Sequence, residues 1–401
     1  MKPIIVIGSG MAGISLIREV RKLDTETPII LVTADDGGFY SKPMLSNAFA
    51  QNKLPTQLKT QSATQIAEQL AVTVLHHTRL EQIDTDAKRI KTSMGDFEYR
   101  DLVLATGAKP IRLSIPGSAS EDILSVNHLN DYATFRQRLD TINNGTSPAR
   151  VAILGAGLIG CEFADDLNQA GFEIHLIDPN QRPLAALLST AVSEQLKLQL
   201  ENKGVHLHLN TSTTRIDRID ETYQLQLSDG TELIADLVLS AVGLIPDTSL
   251  AKQCMPTALQ CDRGILVDVR GRTSAAHVYA LGDCAQYVLD KDGSSTVMPY
   301  IAPLLTAART IAKNLANATD IADHQMELGP MPIIIKTPSC PIAVVPPRAQ
   351  DREQGGWCED HREENILVSR FVLNNGKLGG FAITPNHAKI RTELMAQLQQ
   401  N

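Results

Sequence analysis

Two glycine clusters, GSGMAG at residues 8–13 and GAGLIG at residues 155–160, each stand between an apolar run and an amphipathic one. The first follows PIIVIG, which reads as a strand, and opens MAGISLIREVRKL, where Ile14, Leu16, Ile17, Val20 and Leu23 recur at helical spacing; PIILVT reads as a second strand. The same order returns in VAILGAGLIGCEFADDLNQAGFEIHLIDP. Two βαβ openings in one chain form an internal repeat. The expected fold class is therefore α/β, with two Rossmann-like domains and a smaller α+β domain at the C-terminal end.

In such a unit each glycine has a separate duty toward a bound pyrophosphate. Gly8 and Gly155 allow the tight turn, Gly10 and Gly157 let the backbone approach the phosphates, and Gly13 and Gly160 let the helix pack closely on the strand. Ser9, Met11 and Ala12 complete the first loop. The phosphates would lie at the helix N-terminus, where unpaired N–H groups and the helix dipole favour negative charge. One such cluster alone also reads as an ordinary strand-to-helix turn. The flanking strand and helix, and the second copy, argue for two dinucleotide sites.

An acidic residue about 20 positions further on is expected at each adenosine ribose. Asp178 stands there in the second copy, directly after IHLI. In the first copy Thr33 holds the place and the nearest acids are Asp35 and Asp36, so Asp35 is the expected ribose contact, with Thr33 and Ala34 supplying backbone contacts. Gly282 and Asp283, in LGD, offer a later aspartate suited to the ribityl or pyrophosphate region of FAD. The first copy is accordingly read as the FAD site and the second as the NADH site. The carboxylate of Asp178 disfavours a 2′-phosphate and hence NADPH, a preference moderated by Arg182 nearby.

YRDLVLATGAKP ends a buried-type strand on the turn Thr106-Gly107, and ADLVLSAVGLIPDT has Gly243 at the matching place. Both look like crossings between domains. They suggest an FAD domain of residues 1–108 and 246–325, an NADH domain of 109–245 and a C-terminal domain of 326–401. PYIAPLLTAARTIAKNLAN is expected to be a helix, LVSRFVLNNGKLGGFAI a hairpin turning on Asn375-Gly376, and TELMAQLQQN a helix or a fraying tail.

A formal net charge of -8 argues against nonspecific binding to nucleic acid or anionic lipid. No apolar run approaches the roughly 20 residues that span a bilayer, and PIIVIGSG runs into a glycine loop where a secretory leader would carry a cleavage site. The expectation is a cytoplasmic protein without membrane insertion. The six cysteines have no paired spacing, the histidines form no ligand motif, and no metal is expected.

GSGMAG, ATGA, GAGLIGCEFA and YALGD, in this order, resemble the pyridine nucleotide-disulfide oxidoreductase superfamily of FAD enzymes over about the first 320 residues. TADDGGFYSKPMLS, GLIGCEFADDL and IIIKTPSCPI resemble more narrowly the bacterial rubredoxin-NAD reductases, flavoproteins that feed alkane hydroxylases. The resemblance implies FAD and NADH as cofactors, and a lysine near flavin N5, Lys42, held by a glutamate of the nicotinamide domain, Glu162. It also matches Arg79 and Val297 to backbone FAD contacts, although a structural role suits both equally. Lys336, in PIIIKTP, is too costly to bury unpaired and reaches either the flavin or a buried acid.

The superfamily's redox disulfide would lie near the first βαβ unit, yet no cysteine precedes Cys161. Electrons that arrive on the flavin as a hydride must then leave from the flavin itself. The expected activity is hydride transfer from NADH to FAD N5, then single-electron transfer to rubredoxin, and through it to an alkane monooxygenase. A ferredoxin reductase, an NADH oxidase and a non-enzymatic FAD/NADH redox sensor are the rival readings.

Overall fold

The strand IIVI, Ile4–Ile7, is buried along its whole length. A continuous apolar run of this kind suits the centre of a parallel sheet covered on both faces. The computed structural model describes residues 1–142, 147–288, 295–316, 324–363 and 365–400. The chain folds as two compact units. One comprises Met1–Lys42, Thr56–Lys109 and Leu244–Leu328; the other comprises Pro43–Pro55, Pro110–Gly243 and Gly329–Asn401.

In the first unit the sheet order is Val278–Ala280, Asp101–Leu104, Ile4–Ile7, Ile29–Val32 and Thr73–Leu75, with every pairing parallel. The helix Met11–Leu23 buries Ile14, Leu16, Ile17 and Val20, each worth about 1.5–3 kcal/mol relative to exposure. Leu23, expected on the same apolar face, ends the helix and is 54% exposed. The helix expected in PYIAPLLTAARTIAKNLAN spans Ile301–Ala316 and packs against Met11–Leu23.

The second unit repeats the plan, with the parallel order His206–Leu209, Glu173–Asp178, Arg150–Leu154 and Leu237–Ser240. The repeat runs deeper than the glycine clusters. In both units a three-stranded antiparallel sheet precedes the strand that ends on the crossing turn: Leu80–Asp84, Arg89–Thr92 and Gly95–Glu98 in the first, Thr213–Ile219, Thr222–Leu227 and Glu232–Ala235 in the second.

The C-terminal segment, read from the sequence as a third domain, groups with the second unit. Its antiparallel sheet runs Ile333–Ile335, Ile342–Val345, Leu378–Thr384, Ile366–Leu373 and Gly355–Glu363. The expected hairpin closes where Gly376, at φ +81°, donates its N–H to Leu373 O, a glycine-dependent turn. The terminal helix Ala388–Gln399 buries Ile390, Leu394 and Leu398 against this sheet. Among the described residues no helix is long and apolar enough to cross a membrane.

Candidate functional site

In the first unit the glycine loop is closed at two positions and open at the third. A Cβ on Gly8, whose φ is +111°, would lie 2.3 Å from Ala105 O, and one on Gly13 would lie 2.0 Å from Gly8 O. These glycines serve chain packing. Gly10 differs, because a Cβ there would meet nothing within 4 Å. It is the N-cap of Met11–Leu23, and no side chain caps that helix end. Backbone donors with open space before them fit the pyrophosphate of FAD. Asp283 lies in the first turn of Gly282–Cys284, just beyond the strand Val278–Ala280, and Lys42 Nζ stands 3.8 Å from its Oδ2.

Asp35 is half-buried, and its Oδ1 accepts bonds from Ser9 Oγ at 3.0 Å, Thr33 Oγ1 at 2.6 Å and Gly37 N at 2.9 Å. The acid thus ties the glycine loop to the end of the second strand, and Oδ2 remains outside these three bonds. The backbone of Thr33 is engaged within its own unit. Its N–H is donated to Leu75 O and its C=O accepts from Thr78 N, so its amide belongs to the sheet. Ala34 is exposed beside it.

The second loop repeats the geometry: a Cβ on Gly160 would lie 1.9 Å from Gly155 O, whereas Gly157, the N-cap of Leu158–Gln169, meets nothing within 4 Å. Asp178 ends the strand Glu173–Asp178 and is 8% exposed. Its Oδ2 accepts from Ala156 N at 2.6 Å, and its Oδ1 accepts from Asn180 N and Nδ2, both at 2.8 Å. The carboxylate expected at the ribose therefore also shapes the loop that would receive the phosphates.

Glu162, 1% exposed, is contacted by three polar groups. Ser46 Oγ donates to its Oε2 at 2.5 Å, Lys336 N donates to its Oε1 at 2.9 Å, and Lys336 Nζ lies 3.8 Å from Oε2. Lys336 stands one residue beyond the strand Ile333–Ile335 and its Nζ also donates to Pro43 O. Lys336 thus stands beside a buried acid. The resemblance implied Lys42 as partner for Glu162; the cation found beside Glu162 in its own unit is Lys336, brought there by the C-terminal sheet. Burial raises the Glu162 pKa, opposed by Lys336, and burial lowers that of Lys336, opposed by Glu162.

The sequence reading missed Asp165 and Asp166. Both are buried on the same helix as Glu162. Asp165 accepts from Ser339 N at 2.9 Å, and Asp166 accepts from Phe49 N at 2.8 Å and Ala50 N at 3.2 Å. The signal was present in CEFADDL: acids at spacings of three and four residues share one helix face, and that helix is buried from Gly160 through Leu167.

Thr106 Oγ1 donates to Asp247 O at 3.0 Å and Gly107 O accepts from Asp247 N at 2.9 Å, which closes the crossing turn in the first unit. Gly243, at φ +117°, accepts from Ile111 N in the second. Arg79 is exposed and its backbone pairs with Ser93, while Val297 ends the half-buried strand Ser295–Val297. All six cysteines are free thiols, and burial raises the pKa of Cys161, Cys254, Cys284 and Cys340, which disfavours reactive thiolates. Among the described residues no group of three or more His, Cys, Asp or Glu side chains is arranged to hold a metal.

Residues 2–310 match the family model for pyridine nucleotide-disulphide oxidoreductases, and residues 325–398 match that for a rubredoxin binding C-terminal domain. The chain is 40% identical to a rubredoxin-NAD(+) reductase of Alcanivorax borkumensis, with 99% of each chain covered. It is 33% identical to a nitric oxide reductase FlRd-NAD(+) reductase of Aliivibrio fischeri over 99% of this chain and 98% of the relative. The structure of a putidaredoxin reductase–putidaredoxin complex superposes with a TM-score of 0.86 at 21% identity, covering 99% of this chain and 93% of that one, a likeness of fold.

Proposed function

Starting from a chain that belongs to the pyridine nucleotide-disulphide oxidoreductase family, we propose that it is an NADH:rubredoxin oxidoreductase. The observation that carries this reading is the match that extends past the two dinucleotide units into residues 325–398, the part that matches rubredoxin binding domains. FAD supplies the redox chemistry, accepting two electrons as a hydride and releasing them one at a time. With no cysteine before Cys161 to form the superfamily's disulfide, the route needs no thiol relay. We place the protein in the cytoplasm, with rubredoxin passing the electrons to an alkane monooxygenase, and we divide the chain into FAD, NADH and C-terminal domains as read from the sequence.

Each residue has a stated part. The N–H groups after Gly10 would hold the FAD pyrophosphate, Asp35 would bond the adenosine ribose, and Asp283 would bond the ribityl region with Lys42 balancing its charge. The N–H groups after Gly157 and the carboxylate of Asp178 orient NADH. Glu162, Lys336 and Ser46 form a buried polar support beside the nicotinamide loop, where the opposite charges of Glu162 and Lys336 limit the cost of burying either.

Anaerobic titration of the FAD-loaded protein tests the reading. NADH should bleach the flavin band, NADPH should need a concentration higher by on the order of tenfold, and Asp178→Ala should raise the NADH requirement by a similar factor, because a lost ribose or loop bond costs about 1.5 kcal/mol. A flavin that NADH does not reduce would refute the reductase assignment.

A further inference from the structure

We propose that Asp166 is a positioning residue for hydride transfer: it clasps the chain segment 43–55 and so holds Ser46 and the carbonyl of Pro43 against Glu162 and Lys336. The segment has two working halves. Its first half carries Pro43 O and Ser46 Oγ, which bond Lys336 and Glu162, and Asn47 Nδ2, which donates to Lys336 O at 2.8 Å. Its second half carries Phe49 and Ala50. It is fixed by their two N–H groups on the Asp166 carboxylate.

Helix Leu129–Ile142 closes the clasp from the other side. Arg136, 7% exposed, lies with its guanidinium 4.4 Å from the centre of the Phe49 ring and donates to Asn52 Oδ1 at 2.7 Å and Lys53 O at 3.3 Å. Tyr132 OH donates to Lys53 O at 3.2 Å, and the Phe49 ring meets Phe172 edge-on at 5.3 Å. A carboxylate that is 3% exposed is expensive to bury, and here it accepts from the backbone donors of Phe49 and Ala50, just past the 3-10 helix Lys42–Asn47 that carries Ser46. Charge-assisted bonds of this type hold a chain more firmly than neutral ones. Phe49 follows Ser46 by three residues, within reach of one turn, so slack at Phe49 is passed directly to Ser46. Burial pushes the Asp166 pKa up to about 6, against the pull of the Phe49 and Ala50 N–H groups; Asp165 adds to the rise and Arg136 opposes it. The clasp stands at the edge of its charged range near neutral pH.

The inference rests on the reductive half of the function proposed above, so its test uses NADH alone and no electron acceptor. Asp166→Ala and Asp166→Asn are compared with the parent protein for FAD content, amide hydrogen exchange at Phe49 and Ala50, and the stopped-flow rate of flavin reduction. Asp166→Ala is expected to retain FAD, to exchange both amides faster, and to be reduced on the order of tenfold more slowly, since small displacements near a reacting pair have large rate effects. Asp166→Asn, which keeps one acceptor oxygen, should recover part of the rate. Faster exchange with an unchanged reduction rate overturns the inference, as does unchanged exchange. If Asp166→Ala does not fold, Asp166→Asn decides: faster exchange with slower reduction supports the clasp, and faster exchange with a parental rate overturns it. A parent protein that NADH does not reduce would instead overturn the reductase reading itself.

Discussion

Replacing Glu162 by alanine is expected to slow reduction of the FAD-loaded protein by NADH on the order of a hundredfold, equivalent to about 2.7 kcal/mol of barrier, while FAD stays bound. The carboxylate takes donors from two separate segments, Ser46 Oγ and Lys336 N, and is the charge partner of Lys336 Nζ at 3.8 Å. Removing it leaves an ammonium in a half-buried place without its counter-charge. Breaking a buried pair on one side typically costs about 3–5 kcal/mol; the ammonium can shed part of that cost, because Lys336 already has a lowered pKa from burial and would lose its proton more readily still. The glycine loop proposed to hold the FAD pyrophosphate belongs to the other unit, so FAD content should be preserved. Glu162→Gln keeps an acceptor for Ser46 and Lys336 N without the charge and should fall between the two. Stopped-flow reduction measured with thermal unfolding separates a general loss of stability from a specific loss of rate. A parental reduction rate in Glu162→Ala would remove the assigned role.

The second large effect separates two glycines of one loop. Gly13→Ala would force a Cβ to within 2.0 Å of Gly8 O, where the neighbour is backbone and cannot swing aside. Overpacking of this kind costs about 1–3 kcal/mol or more, and the protein should lose both FAD and thermal stability. Gly10→Ala meets no atom within 4 Å, so the apo protein should lose no more than about 1 kcal/mol, the usual penalty for a poorer N-cap. Its FAD affinity should still drop at least tenfold, because the new methyl occupies the approach to the helix N-terminus. Calorimetry of the apo proteins and FAD titration make the comparison. Unaltered FAD affinity in Gly10→Ala would place the pyrophosphate elsewhere.

The sequence made the two βαβ units legible because their signals are local: buried strand, glycine turn and amphipathic helix follow one another within about 30 residues. The hairpin at Gly376 was readable for the same reason. What stayed hidden depends on segments far apart in the chain. Lys336 lies 174 positions from Glu162, and only the strand order of the C-terminal sheet brings them together. Asp165 and Asp166 look like the solvent face of a helix until its surroundings are known; the helix lies under two other segments, and the acids bond their backbones. The sheet bonds of the Thr33 backbone to Leu75 and Thr78 likewise depend on a strand about 40 positions away.

The C-terminal segment contributes Lys336 to the polar contacts of Glu162. The account still stands or falls on where the electrons go. The direct measurement is anaerobic reduction by one equivalent of NADH, followed by stopped-flow mixing with oxidised rubredoxin, a ferredoxin or oxygen. The account predicts saturable reoxidation by rubredoxin, faster than by either alternative and delivering two one-electron equivalents per flavin. Slow reoxidation by rubredoxin, with rapid reoxidation by the ferredoxin or by oxygen, would contradict it.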